Sequence, residues 1–125
     1  MSVNGLPPYD PDNIFARILR GEIPCKRVLE TEHALAFHDI APQAPTHILV
    51  IPKGPYVSAA DFHAAATDAE IAGFWRAVRE VAAPLEGAGY RLLANMGHDS
   101  GQEVPHFHVH VLGGRPLGPM LARPA

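Results

Sequence analysis

The chain has 125 residues, 47% of them hydrophobic and 18% charged, with a formal net charge of −3. That is enough for one domain with its own core, while the lack of a basic excess argues against a nucleic-acid partner, and no run of about 18 apolar residues marks a membrane span. The lone cysteine, Cys25, excludes an internal disulfide and the start, MSVNGLPPYDPDN, lacks the basic and apolar regions of a secretory signal, so a soluble cytoplasmic protein is expected.

Residues 1–11 hold Pro7, Pro8 and Pro11 and read as an irregular lead-in. Asp12 or Asn13 can cap a helix over about 14–20, where Ile14, Phe15, Ile18 and Leu19 share one face and Gly21 supplies a stop. Pro24 bars further helix, and KRVLE then reads as a short strand. HALAFHDI, residues 33–40, reads as a second strand with one buried side. After a proline-punctuated connection at 41–45, HILVIPK, residues 47–53, is a β-branched, apolar run and reads as a third, central strand. The segment from Pro55 to Phe62 reads as loop with at most a turn of helix.

Thr67 or Asp68 can cap a longer helix over about 69–83. Ile71, Phe74, Trp75, Val78, Val81 and Ala82 recur there at three- and four-residue spacing, which places Trp75 with the core. YRLLANMG, residues 90–97, reads as a fourth strand, residues 97–103 as a turn-rich loop, and residues 106–112 as a fifth strand. Residues 115–125, with Pro116, Pro119 and Pro124, read as an irregular tail. Hairpin-like strands with two helices indicate an α+β fold around an antiparallel sheet, with residues 12–114 as the domain.

The fifth strand is HFHVHVLGG. Alternate side chains of a strand face opposite sides, so His106, His108 and His110 would share one face, about 7 Å apart, with Phe107, Val109 and Val111 in the core. Three readings fit this pattern. The face is polar and histidine-rich by chance; it holds a metal, since histidine is the commonest metal ligand; or it holds phosphate, with imidazole as nucleophile, acid and donor. The preceding loop, GHDSGQEVP, favours phosphate, because Gly97 and Gly101 permit a backbone that aims successive N–H groups at an anion. His47, at the start of the central strand, can join the cluster. His33, His38, His63 and His98 read as surface or helix-edge residues.

His106-Phe-His108-Val-His110-Val-Leu fits the pattern His-φ-His-φ-His-φ-φ, where φ is apolar. Together with DNIFARILRGEIP, AFHDIAPQAPTHILVIPK, GQEVPHFHVHVLGG and the tail GGRPLGPM, in that order, it resembles the histidine triad (HIT) superfamily, and its Hint branch in particular, over about residues 12–121. The resemblance implies an α+β, HIT-like fold: a five-stranded antiparallel sheet with two helices, dimerising into a ten-stranded sheet through a surface that includes the long helix. It implies a purine nucleoside phosphoramidase that cleaves the P–N bond of AMP- or GMP-amine conjugates, such as adenosine 5′-monophosphoramidate or lysyl-AMP.

By the same resemblance, His108 is the nucleophile that forms a nucleotidyl-histidine intermediate. His106 and His110 hold the phosphate, order the nucleophile's tautomer and assist proton transfer, and His47 completes the catalytic set. Asp39 would accept hydrogen bonds from the ribose hydroxyls. Phe15, Ile18, Phe37 and Ile40 would form the slot for the base. Asn95 and the backbone of Gly101, Gln102 and Glu103 would meet the phosphate or ribose, with the Glu103 carboxylate turned away. No metal and no other cofactor is expected. The competing functions are a nucleotide-binding regulatory module with little turnover, a dinucleoside polyphosphate hydrolase of a related branch, and a zinc enzyme.

Overall fold

The structure, a computed structural model, describes residues 3–122. The first two residues of the expected lead-in and the last three of the expected tail lie outside the described residues. The elements follow one another as α1 (Ile14–Leu19), β1 (Arg27–Glu30), β2 (Ala34–His38), β3 (Thr46–Pro52), α2 (Ala59–Ala65), α3 (Asp68–Ala82), a single 3-10 turn at Ala83–Leu85, β4 (Tyr90–Leu93) and β5 (Val109–Gly113). The five strands form one sheet in the order β1-β2-β3-β5-β4, with every neighbouring pair antiparallel. Among the described residues, no helix is long and apolar enough to cross a membrane.

The helix ends follow local chemistry. Asn13 caps α1 by accepting from the Ala16 N–H at 2.9 Å. Thr67 and Glu70 form a reciprocal box at the start of α3, each side chain accepting from the other's backbone N–H at 3.1 Å. Thr67→Ala is therefore expected to cost about 1 kcal/mol of stability, read by urea denaturation. The segment expected to be mostly loop contains α2, a helix of seven residues. Ser58 and Asp61 cap it, with the Ser58 N–H donating to Asp61 Oδ1 at 2.7 Å. A helix this short shows no hydrophobic period, so only its cap was there to be read.

The two sheet faces are covered differently, and this places the histidines. On one face Ala34, Ala36, Ile48, Val50, Val109 and Val111 pack against Phe62 of α2, Phe74 and Val78 of α3, and Phe107. On the other face Leu35, Phe37, Leu49 and Ile51 pack against Phe15 and Ile18 of α1. The short α1 leaves the β5 end of that second face without a helix. β2 was expected to have one buried side, but Ala34 to Phe37 are all buried, because α1 covers one side and α3 the other. Trp75 is only partly buried at the margin of the first core, where its Nε1–H donates to His63 Nε2 at 3.2 Å.

β5 begins at Val109 rather than at His106. The ladder between β3 and β5 reaches Val50↔Val109 and stops. Beyond it Pro52 has no N–H to donate, and two carbonyls there serve imidazoles instead: Pro52 O accepts from His106 Nε2 and His106 O from His108 Nδ1, both at 2.8 Å. β4 likewise ends at Leu93, earlier than the expected 97.

Candidate active site

The imidazoles occupy the partly uncovered sheet face, and their partners fix their tautomers. The His106 carbonyl can only accept, so His108 Nδ1 carries the hydrogen of the 2.8 Å contact and the His108 Nε2 lone pair is left free. The Phe15 ring meets the His108 ring edge-on with centroids 5.1 Å apart. Phe15 thereby ties the nucleophile candidate to α1. His108 is 8% exposed, and burial, the largest influence on it, pushes its pKa below the ordinary imidazole value. Neutral imidazole is the nucleophilic form.

His47 and His110 form a second pair. The Gln43 N–H donates to His47 Nδ1 at 3.0 Å, so His47 carries its hydrogen on Nε2. That hydrogen is donated to His110 Nδ1 at 2.8 Å. His110 in turn keeps its hydrogen on Nε2, and its ring lies 5.0 Å from that of His108, centroid to centroid. Burial, and then the neighbouring His108 and His47, push His110 down to about 4. Asp39 Oδ2 stands 3.4 Å from His47 Nε2, while Asp39 Oδ1 accepts from the Ala41 N–H at 2.8 Å.

His106 does something else. Its ring is 0% exposed. Its Nε2–H donates to Pro52 O at 2.8 Å, and its Nδ1 accepts from the Tyr9 hydroxyl at 2.7 Å. Both ring nitrogens are spent inside the protein, so the expectation that His106 holds phosphate is corrected. Its link to His108 is its carbonyl. Burial pushes its pKa down to about 4.

The glycine-rich loop is also used differently. Gly97 and Gly101 hold left-handed φ angles of 82° and 78°, which closes a tight turn. Within that turn the Gly101 N–H donates to His98 O and the Gln102 N–H to Gly97 O. The Gln102 side chain is buried, accepting from the Gly97 N–H at 3.0 Å and donating to Val57 O at 2.8 Å. Gly101 and Gln102 therefore build the loop, and their N–H groups do not face an anion as expected. Glu103 is exposed and Asn95 half-buried.

An open cleft of about 760 Å³ is lined by Pro24, Cys25, Lys26, His38, Asp39 and Ile40, together with Pro42, Pro45 and His47. Its volume suits a nucleotide-sized ligand. Of the four residues expected to form the base slot, Phe15, Ile18 and Phe37 are core residues, whereas Ile40 is 96% exposed on the cleft wall. Cys25 and Lys26 were not legible as site residues. They reach the cleft because the chain entering β1 runs beside the end of β2, where the His38 N–H donates to Lys26 O at 3.0 Å. Asp39, His47 and His110 bring three donor atoms within 4.8 Å of one another, the carboxylate partner that local sequence did not reveal for a metal site.

The chain is similar to known proteins in sequence and in fold. A family model described as HIT domain matches residues 20–117. A HIT-like protein of Azospirillum brasilense is 70% identical over 117 residues, covering 92% of this chain and 96% of its own. The purine nucleoside phosphoramidase of Escherichia coli K12 is 46% identical over 114 residues, covering 89% and 94%. Among solved structures, a HIT family hydrolase from Clostridium thermocellum superposes with a TM-score of 0.76 at 33% identity, covering 89% of this chain and 97% of its own.

Proposed function

This chain belongs to the HIT domain family, and from that premise we propose that it is a hydrolase that cleaves the P–N bond of AMP- or GMP-amine conjugates through a nucleotidyl-histidine intermediate. The observation that carries the reading is the free Nε2 lone pair of His108, held by the donation from Nδ1 to the His106 carbonyl; His110, whose ring lies 5.0 Å away, and its partner His47 connect it to a cleft of nucleotide size that His47 lines. His108 Nε2 attacks the α-phosphorus, the P–N bond to the amine breaks, and a P–N bond to His108 forms. The leaving amine needs a proton. The bound phosphate anion favours a proton on the hydrogen-bonded His47–His110 pair, and the pair delivers it to the amine through His110 Nε2–H. Water then attacks the phosphorus, the bond from phosphorus to His108 Nε2 breaks, and the water's proton returns to the His47–His110 pair, giving the nucleotide and free His108.

His47 supports that transfer by orienting His110. Loss of its single donated hydrogen bond in His47→Ala is expected to lower kcat about tenfold, on the scale of one neutral hydrogen bond, as measured by steady-state hydrolysis. Asp39 at the cleft wall remains the proposed acceptor for ribose hydroxyls, and Ile40 the exposed apolar surface for the base. Dimerisation is part of the same proposal. β4 is an open edge strand with Leu92 42% exposed, and light scattering of the purified protein tests for the dimer.

A second reading has its own observation, the Asp39-His47-His110 donor set. A metal there would have to displace the hydrogen that His47 shares with His110 at 2.8 Å. Hydrolysis of a fluorogenic amine–AMP phosphoramidate with and without EDTA separates the two. Turnover unchanged by EDTA, with AMP and amine as products, is expected; activity abolished by EDTA makes the cluster a metal site. AMP bound without turnover makes the protein a nucleotide-binding module.

A further inference from the structure

The irregular lead-in is docked against the site. The Val3 N–H donates to Gln102 O at 2.9 Å, the Ser58 hydroxyl to Gly5 O at 2.7 Å, and Arg20 Nη1 to Pro11 O at 2.7 Å. Gly5 is required for this path: its φ is +75°, and a Cβ there would stand 2.9 Å from the Gly97 nitrogen. The segment thus runs between the 97–102 loop and the start of α2, and it delivers Tyr9 to the triad. The Tyr9 ring meets the His106 ring edge-on at 5.6 Å, with the hydroxyl 2.7 Å from Nδ1.

The donor count gives Tyr9 its role. Pro52 O, 2.8 Å away, accepts only, so His106 carries its hydrogen on Nε2. Its Nδ1 then holds a lone pair that needs a donor, and the ring has 0% exposure, so bulk water does not supply one. Tyr9 does. The ring of His106 is gripped at both nitrogens, and the carbonyl of the same residue accepts the Nδ1–H of His108. We infer that Tyr9 is a positioning residue: by holding His106 from the lead-in, it fixes the carbonyl that sets the orientation and tautomer of His108. The role rests on the reading of His108 as nucleophile.

Tyr9→Phe keeps the ring contact and removes only the donor. The test compares wild type, Tyr9→Phe and Thr67→Ala, the last a destabilised control with no link to the triad. Two readouts are taken: kcat and KM for a fluorogenic amine–AMP phosphoramidate, and the imidazole ¹⁵N resonances of His106 and His108. Tyr9→Phe is expected to lose about tenfold in kcat, the scale of one neutral hydrogen bond, with KM within about twofold. His106 Nδ1 is expected to shift, and His108 to become a mixture of tautomers. Thr67→Ala keeps wild-type kcat. Wild-type kcat in Tyr9→Phe, or a His108 tautomer unmoved by it, overturns the role. If the wild type does not hydrolyse the substrate, the proposed function falls instead, and the His108 resonances alone decide whether Tyr9 positions that ring.

Discussion

Replacing His108 with alanine is expected to lower phosphoramidate hydrolysis by about 10³-fold or more, beyond what one general acid–base group ordinarily contributes. The expectation follows from the lone pairs at the site. His106 has both ring nitrogens bonded within the protein. His110 receives a hydrogen bond at Nδ1 from His47 and presents a hydrogen at Nε2, so it is a donor toward the substrate. His47 accepts at Nδ1 from Gln43. Of these four imidazoles only His108 offers an unshared pair, and none of the other three replaces it without changing tautomer. The assay is steady-state hydrolysis in EDTA. Added imidazole should restore part of the turnover in His108→Gly, because it supplies the missing nitrogen to an otherwise intact site. An alanine variant within tenfold of wild type would remove the covalent step from the mechanism.

How much of this was legible in the sequence depended on the range of the interaction. The sheet, α1 and α3 are written in local patterns: apolar periodicity, Asn13 and Thr67 as caps, Pro24 as a boundary. The triad is an equally local signal, and the alternation of His106, His108 and His110 with Phe107, Val109 and Val111 put the core side of the strand correctly. What local reading missed came from chain crossings. His106 reads like its two companions until Tyr9, 97 positions away in sequence, and Pro52 occupy its ring. Gln102 reads as a loop residue with its backbone at the ligand until the Gly97 carbonyl takes its N–H and Val57, 45 positions away, takes its side-chain amide. Cys25 and Lys26 belong to the cleft only through the pairing of β1 with β2. A short-range pattern names which residue types assemble; the remaining hydrogen-bond partners decide which of them faces the ligand.

Acid should destabilise the fold between about pH 6.5 and pH 4. His106 has its pKa pushed from 6.5 down to about 4 by burial. In that window the unfolded chain takes up a proton at His106 that the folded chain refuses, so stability rises with pH through it. The contribution is complete above the unfolded value and is lost as the pH falls toward 4. A displacement of this size is worth roughly 3 kcal/mol, a large share of the 5–15 kcal/mol typical of a domain. His110 shifts in the same direction but is only half-buried, and solvent screening reduces its part. Urea denaturation at intervals from pH 8 to pH 4 reads the slope. His106→Gln, which removes the imidazole, should flatten it even if the variant starts less stable. A wild-type stability that stays level from pH 7 to pH 4.5 would contradict the burial argument. The same desolvation acts on His108, so the burial that makes the triad acid-labile also keeps the proposed nucleophile unprotonated near neutral pH. A more exposed triad would resist acid better and lose part of its reactive form to protonation.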